Sequence, residues 1–124
     1  NKNIELIVEN NITDELLVDQ VLFISTVVNL IKNASEAFDD YEKKGNWIKV
    51  STEIENDSVV IQIANNAKPI ENPETIFDEG VTTKATGNGL GLFICKKNTE
   101  EQCGQICLRK SDEDSTIFEM RFCL

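Results

Sequence analysis

At 124 residues, 40% of them apolar and 27% charged, the chain is long enough to close one hydrophobic core, and a second domain is not expected. Its formal charge of −10 repels phosphate backbones and argues against nucleic-acid binding, whereas a single nucleotide can still be held by backbone amides and a bound cation. No apolar run approaches the ~20 residues that span a bilayer, and Asn1-Lys2-Asn3 starts neither with Met nor with a signal segment, so the sequence predicts a cytoplasmic domain taken from a longer parent, an expectation that leaves room for a membrane-bound parent.

The segment Ile4 to Val8 has strand composition, and Thr13, Asp14 and Asp19 then offer turn and helix-start chemistry. From Gln20 to Asp40, Ile24, Val27, Ile31, Ala34 and Phe38 recur at three- and four-residue steps, which predicts a long amphipathic helix. Gly45-Asn46 ends that pattern. Ile48 to Ile54 alternates in period two, Asn56-Asp57 turns the chain, and Val59 to Ile63 completes a hairpin.

From Ala64 to Gly91 periodicity is lost among Asn, Pro, Gly and Thr, a stretch too long to be an idle connection in so small a domain. Leu90 to Glu101 resumes a helical pattern, with Gly104 as its stop. Gln105 to Lys110 and Thr116 to Cys123 alternate around a polar turn and close a second hairpin. The expected architecture is α+β, a two-layer sandwich with helices on one face of a mixed sheet. Cys95, Cys103, Cys107 and Cys123 lack paired short spacing and there is no histidine to complete a zinc site, so they read as small, buried or half-buried apolar thiols.

Two patterns carry chemistry. On the first helix Asn29, Asn33 and Glu36 fall within about 60° of one another, opposite Ile24, Val27, Ile31 and Phe38. Asn competes for backbone hydrogen bonds and is a mediocre helix former, so this polar line reads either as a solvated face or as oxygen ligands for a hard cation such as Mg²⁺. The second pattern is Gly87-Asn-Gly-Leu-Gly-Leu92, running directly into a helix. Lacking Cβ atoms, it lets a phosphate approach the backbone, and the amides at the helix start favour negative charge. Thr82-Thr83-Lys84 just before it adds hydroxyls and one cation. Neither the Walker loop nor the dinucleotide fingerprint is matched, since no strand precedes the glycines. Alone, the loop also reads as a flexible connection.

In combination these residues resemble the GHKL superfamily of ATP-binding domains, and within it the histidine kinases. Val28 to Ala37 looks like that family's N box, Glu74 to Phe77 with Thr82 to Lys84 like its F box and lid, and Gly87 to Leu92 like its second glycine box. The resemblance covers nearly the whole chain in the family's order and implies a Bergerat-type ATP-binding fold, with residues 1–124 as one catalytic domain. It further implies ATP and Mg²⁺ as cofactors, with Asn33 on the metal, and Asn29 and Lys84 beside the phosphates as the catalytic candidates. Gly87, Asn88, Gly89, Leu90, Gly91 and Leu92 would hold the triphosphate together with Thr83. Asn65, Ala67 and Ile70 would line the adenine pocket. In that pocket the chain departs from the family's Asp-x-Gly-x-Gly: Asn65 stands for the Asp, Ala67 for the first Gly and Pro69 for the second. Asn65 keeps an uncharged acceptor, Ala67 adds a methyl group, and Pro69 removes an amide and fixes φ.

The family's hydrolases, such as DNA gyrase and MutL, place a Glu one turn before the metal-binding Asn as a general base, where this chain has Asn29, which cannot take a proton from water. A kinase acting on an imidazole lone pair needs no such base. The implied function is transfer of the γ-phosphoryl group to a histidine on a dimerisation domain of the same parent, and from there to a response regulator in two-component signal transduction. The fragment alone would be monomeric and the parent homodimeric. Two alternatives stand beside it: a nucleotide-impaired pseudokinase that docks a partner, suggested by Asn65, Ala67 and Pro69, and an anti-sigma serine kinase of the same superfamily.

Overall fold

The structure is a computed structural model that describes residues 3–12, 15, 18–39, 41, 45–80 and 91–123. In chain order it contains strand β1 (Glu5–Asn10), helix α1 (Gln20–Glu36), strands β2 (Trp47–Glu55) and β3 (Ser58–Asn65), and a short 3₁₀ turn (Pro73–Thr75). Helix α2 (Gly91–Glu101) and strands β4 (Gln105–Ser111) and β5 (Thr116–Cys123) follow. The strands form one five-stranded sheet in the order β1-β2-β3-β5-β4. β1 runs parallel to β2 and every other neighbour is antiparallel, so the sheet is mixed and α1 lies in the crossover between the parallel pair.

The first hairpin turns on Asn56 and Asp57, with φ of 51° and 63°, the left-handed pair that matches the twist of two tightly joined strands. β3 and β5 share an eight-residue register from Ser58↔Cys123 to Asn65↔Thr116. Between Leu108 and Lys110 the register slips by one residue, a bulge at Arg109 inside what the sequence pattern presents as continuous alternation. Away from the helices, Glu119 is 5% exposed and accepts from Gln62 Nε2 at 2.9 Å, with Arg121 Nη2 at 3.5 Å and Arg109 Nε at 3.8 Å. A carboxylate buried on the open face thus keeps charged partners.

Asp19 caps α1, its side-chain oxygen accepting from the Leu22 amide at 3.0 Å. The helix ends at Glu36, short of Asp40, and Ala37 to Asp39 form a turn that delivers Phe38 to the core. Its buried line is Thr26, Leu30 and Ala34, and Ile24 is 50% exposed, so the core-facing stripe is rotated from the expected one. Thr26 accounts for the difference: its hydroxyl donates to the Leu22 carbonyl at 2.8 Å, which lets a polar residue be buried where an apolar count does not look for one. Asn29, Asn33 and Glu36 consequently border the buried line and are half-buried.

α2 buries Leu92, Cys95 and Thr99. The Cys95 thiol donates to the Thr26 carbonyl at 3.8 Å and the Thr99 hydroxyl to the Cys95 carbonyl at 2.7 Å, which joins the two helices. The left-handed residue that ends α2 is Cys103, φ 63°, and not Gly104. The Cys103 amide donates to Glu100 and the Gly104 amide to Thr99, the paired bonds of a Schellman stop. Gly104 has another role: a Cβ on it would lie 2.5 Å from the Phe122 ring. The expectation of buried thiols holds for Cys95 alone, since Cys103, Cys107 and Cys123 are exposed. No helix among the described residues is long and apolar enough to cross a membrane.

Candidate functional site

The end of β3 is where the polar loop begins, and its side chains are spent on shaping that loop. Asn65, 1% exposed, accepts the Ala67 amide on its side-chain oxygen at 2.9 Å, a local turn of the kind short amides favour. Asn66 accepts the Trp47 amide at 2.8 Å and donates to the Gly45 carbonyl at 2.9 Å, tying the loop to the entrance of β2. Ala67 is completely buried in the main core. A methyl group, not a glycine hydrogen, therefore fills the space behind the loop.

Further along, the Ile70 amide donates to the Ser111 hydroxyl at 2.8 Å, and Ser111 lies 2.8 Å from the Thr116 hydroxyl. Thr116 is buried and is the register partner of Asn65. Hydroxyls at the end of the closing hairpin thus anchor the loop at Ile70. Phe77 packs edge-on against Phe118 with ring centroids 6.0 Å apart, and Ile76 is buried, so the loop is also pinned apolarly after the 3₁₀ turn.

The candidate residues are linked to the core through their chain neighbours. Leu30 and Ala34, the chain neighbours of Asn29 and Asn33, share one buried cluster with Ala67 and Leu92, and Ile70 packs against it. The polar line of α1, the loop 65–70 and the start of α2 therefore each border the domain's main core. Gly91 opens α2, and a Cβ there would meet none of the described residues within 4 Å. Thr83, Lys84, Gly87, Asn88, Gly89 and Leu90 lie outside the described residues. Asn66, Ser111 and Thr116 were not singled out from sequence. They tie the loop to segments far away in the chain, Asn66 from within it and Ser111 with Thr116 from the closing hairpin, and only their small polar character at strand ends hints at it.

Residues 18–124 match the family described as histidine kinase-, DNA gyrase B-, and HSP90-like ATPase. The chain belongs to that family. Among curated relatives, the sensor histidine kinase FlgS of Helicobacter pylori is 32% identical over 94 residues, covering 75% of this chain and 24% of that protein. The sensor protein TdiS of Thauera aromatica is 30% identical over 106 residues, covering 82% of this chain and 18% of that protein. The chain thus spans about a fifth of the length of the curated relatives it matches. The solved catalytic domain of the histidine kinase ThkA superimposes with a TM-score of 0.80 at 29% identity, covering 97% of this chain and 78% of that one. A structure of ThkA in complex with the response regulator protein TrrA matches with a TM-score of 0.73 at 28% identity, over 97% of this chain and 34% of that one. The chain is therefore a catalytic ATP-binding domain of the sensor histidine kinase type, and its family membership implies ATP binding.

Proposed function

We propose that this domain binds Mg-ATP between α1, the loop 65–70 and the start of α2, and passes the γ-phosphoryl group to a histidine outside its 124 residues, which contain none. The observation that carries the reading is the half-buried pair Asn29 and Asn33, one turn apart on α1, whose neighbours Leu30 and Ala34 belong to the same core cluster as Ala67 and Leu92. Their carbonyl oxygens fit a hard cation, with Asn33 as the metal ligand and Asn29 toward the phosphates. Magnesium, when bound, would neutralise charge on the phosphate oxygens. The first amides of α2 meet the triphosphate, with Thr83, Lys84 and the glycine loop Gly87 to Leu92 completing the cradle. Asn65, Ala67 and Ile70 line the base. Asn29 cannot activate water, so the site favours a nucleophile that already carries a lone pair, such as imidazole.

The acceptor would lie on a dimerisation domain of the parent, which then serves a response regulator; the similar kinase ThkA has been solved in complex with one, TrrA. Residues 1–124 form one domain, monomeric alone, in a homodimeric parent and on its cytoplasmic side.

Calorimetric titration of the domain with a non-hydrolysable ATP analogue tests the reading. Saturable binding that weakens in EDTA, and that weakens in Asn33→Ala while circular dichroism and melting are unchanged, is expected. No binding at millimolar nucleotide would overturn it in favour of the second reading, a docking pseudokinase of the same fold. The observation on that side is that the Asn65 oxygen already accepts the Ala67 amide and that the Ala67 methyl fills the core.

A further inference from the structure

β1 is an edge strand: in the order β1-β2-β3-β5-β4 it pairs with β2 alone, and among the described residues no strand lies beyond it. Its ladder is regular, with all six residues from Glu5 to Asn10 in parallel register with Trp47 to Thr52. The Glu5 amide donates to the Asn46 carbonyl at 3.0 Å and the Asn11 amide to the Thr52 carbonyl at 3.1 Å, so the odd-numbered residues turn their main-chain groups toward β2. Along a strand the N–H and C=O of one residue point to one side and those of the next residue to the other. Leu6, Val8 and Asn10 therefore hold three N–H and three C=O groups out along the free edge.

The two faces of that edge differ in chemistry. Leu6 and Val8 are the register partners of Ile48 and Val50, which belong to the main core or pack against it, so they lie on the helix side of the sheet. Neither helix covers them: Leu6 is 57% exposed and Val8 65%. The other face carries Glu5 and Glu9, both exposed. Glu9 pairs with Lys49 at 3.2 Å, and Glu5 makes no ion pair among the described residues. The opposite edge of the sheet is built to refuse a strand, since β4 slips register at Arg109 and exposes Arg109 and Lys110. A bulge and basic side chains are common protections against edge pairing. β1 has no bulge, no proline and no lysine.

We propose that the β1 edge docks an extended segment of another protein in which apolar residues alternate with Lys or Arg. The segment adds a strand antiparallel to β1, the direction that is slightly more stable per residue, and takes up the outward main-chain groups of Leu6, Val8 and Asn10. Directly opposed residues of such a pair share a face of the sheet. The apolar residues of the segment thus stand opposite Leu6 and Val8 and widen the helix side, while its basic residues stand opposite Glu5 and Glu9. The net charge of −10 attracts a partner of the same sign. Nucleotide binding is not required for the docking.

The probe is the end-capped peptide Thr-Lys-Val-Thr-Val-Lys-Thr, titrated into the whole isotope-labelled chain and followed by the NMR signals of the backbone amides. Saturable binding is expected, with shifts and slowed hydrogen exchange at the amides of Leu6, Val8 and Asn10. N-methylation of both peptide valines, whose N–H groups face β1 in the antiparallel pairing, abolishes it. N-methylation of both lysines, whose N–H groups face away, leaves it in place. Val8→Lys, a change at an exposed position, removes binding while the melting midpoint stays near that of the parent. Replacing both peptide lysines by Glu weakens binding roughly tenfold, as two attractive cross-strand pairs become repulsive. No binding at millimolar peptide, binding that survives N-methylation of the valines, or shifts centred on another surface would overturn the proposal. Shifts of the same three amides with protein concentration alone would make a second copy the occupant and overturn it likewise.

Discussion

The Ile70 amide donates to the Ser111 hydroxyl at 2.8 Å, joining the polar loop after β3 to the end of β4 across 41 residues of sequence. Ser111 also meets Thr116, the register partner of Asn65, so the hydroxyl pair holds the Ile70 end of the segment while the β3–β5 ladder fixes its Asn65 end. Replacing Ser111 by Ala leaves the Ile70 amide without its acceptor. A loss of about 1 kcal/mol in denaturant stability is expected, as is weaker binding of an ATP analogue. Ser111→Thr, which restores a hydroxyl, should recover most of both. Unchanged affinity in Ser111→Ala would separate the anchor from the site.

Asn65 tests how much of the base-binding loop depends on an uncharged acceptor. Its oxygen caps the Ala67 amide at 2.9 Å inside the core, so Asn65→Ala is expected to cost about 1 to 3 kcal/mol in a chemical melt through the orphaned amide. Asn65→Asp keeps that bond and adds an ionised acceptor, which strengthens a hydrogen bond from an adenine amino group. Tighter binding of an adenine nucleotide relative to a guanine nucleotide is expected in Asn65→Asp. No change in that ratio would remove position 65 from base recognition.

The order of strands and helices was legible because most elements carry their own signal: alternation in β2 and β5, an apolar run in β3, three- and four-residue steps in α1, and a turn at Asn56-Asp57. Two local assignments failed for identifiable reasons. Thr26 is buried because its hydroxyl is satisfied by Leu22, which an apolar count along α1 cannot register. Cys103 takes the left-handed position while Gly104 gives up its Cβ to Phe122, so the glycine marks a close approach and not the helix stop. The anchors Asn66, Ser111 and Thr116 escaped because their partners lie 19, 41 and 5 residues away, and a hydroxyl or amide carries no periodic signal of its own.

Two glycines in α2 and its stop should respond oppositely to the same change. Gly104→Ala drives a methyl group to 2.5 Å from a buried ring that is itself packed against Phe23, and a loss of about 1 to 3 kcal/mol in thermal or denaturant unfolding is expected. At Gly91, the first residue of α2, a methyl group meets none of the described residues within 4 Å, so Gly91→Ala should stabilise the nucleotide-free domain slightly, by about 0.5 kcal/mol or less. If the start of α2 is the phosphate cradle, the same variant binds ATP more weakly than the parent. A gain in stability without a loss of affinity would place the phosphates elsewhere.

Cys95 gives the α1–α2 contact a measurable pH dependence. Burial between the helices raises its thiol from 9.0 to about 12, and in the neutral form it donates to the Thr26 carbonyl. In the unfolded chain the thiol ionises near its ordinary value, whereas in the folded chain it stays protonated. The folded-state pKa is the higher one, so this contribution is fully present below about pH 9 and is lost as the pH rises toward 12. Other groups titrate in the same window, so the informative quantity is the difference between the parent and Cys95→Ala. The variant should be less stable at neutral pH by about 1 to 2 kcal/mol for the lost packing and thiol bond. Urea midpoints measured from pH 8 upward should then converge, because only the parent carries the extra alkaline loss. Parallel stability curves for the two proteins across that range would show that Cys95 ionises as freely in the folded domain as in the unfolded chain.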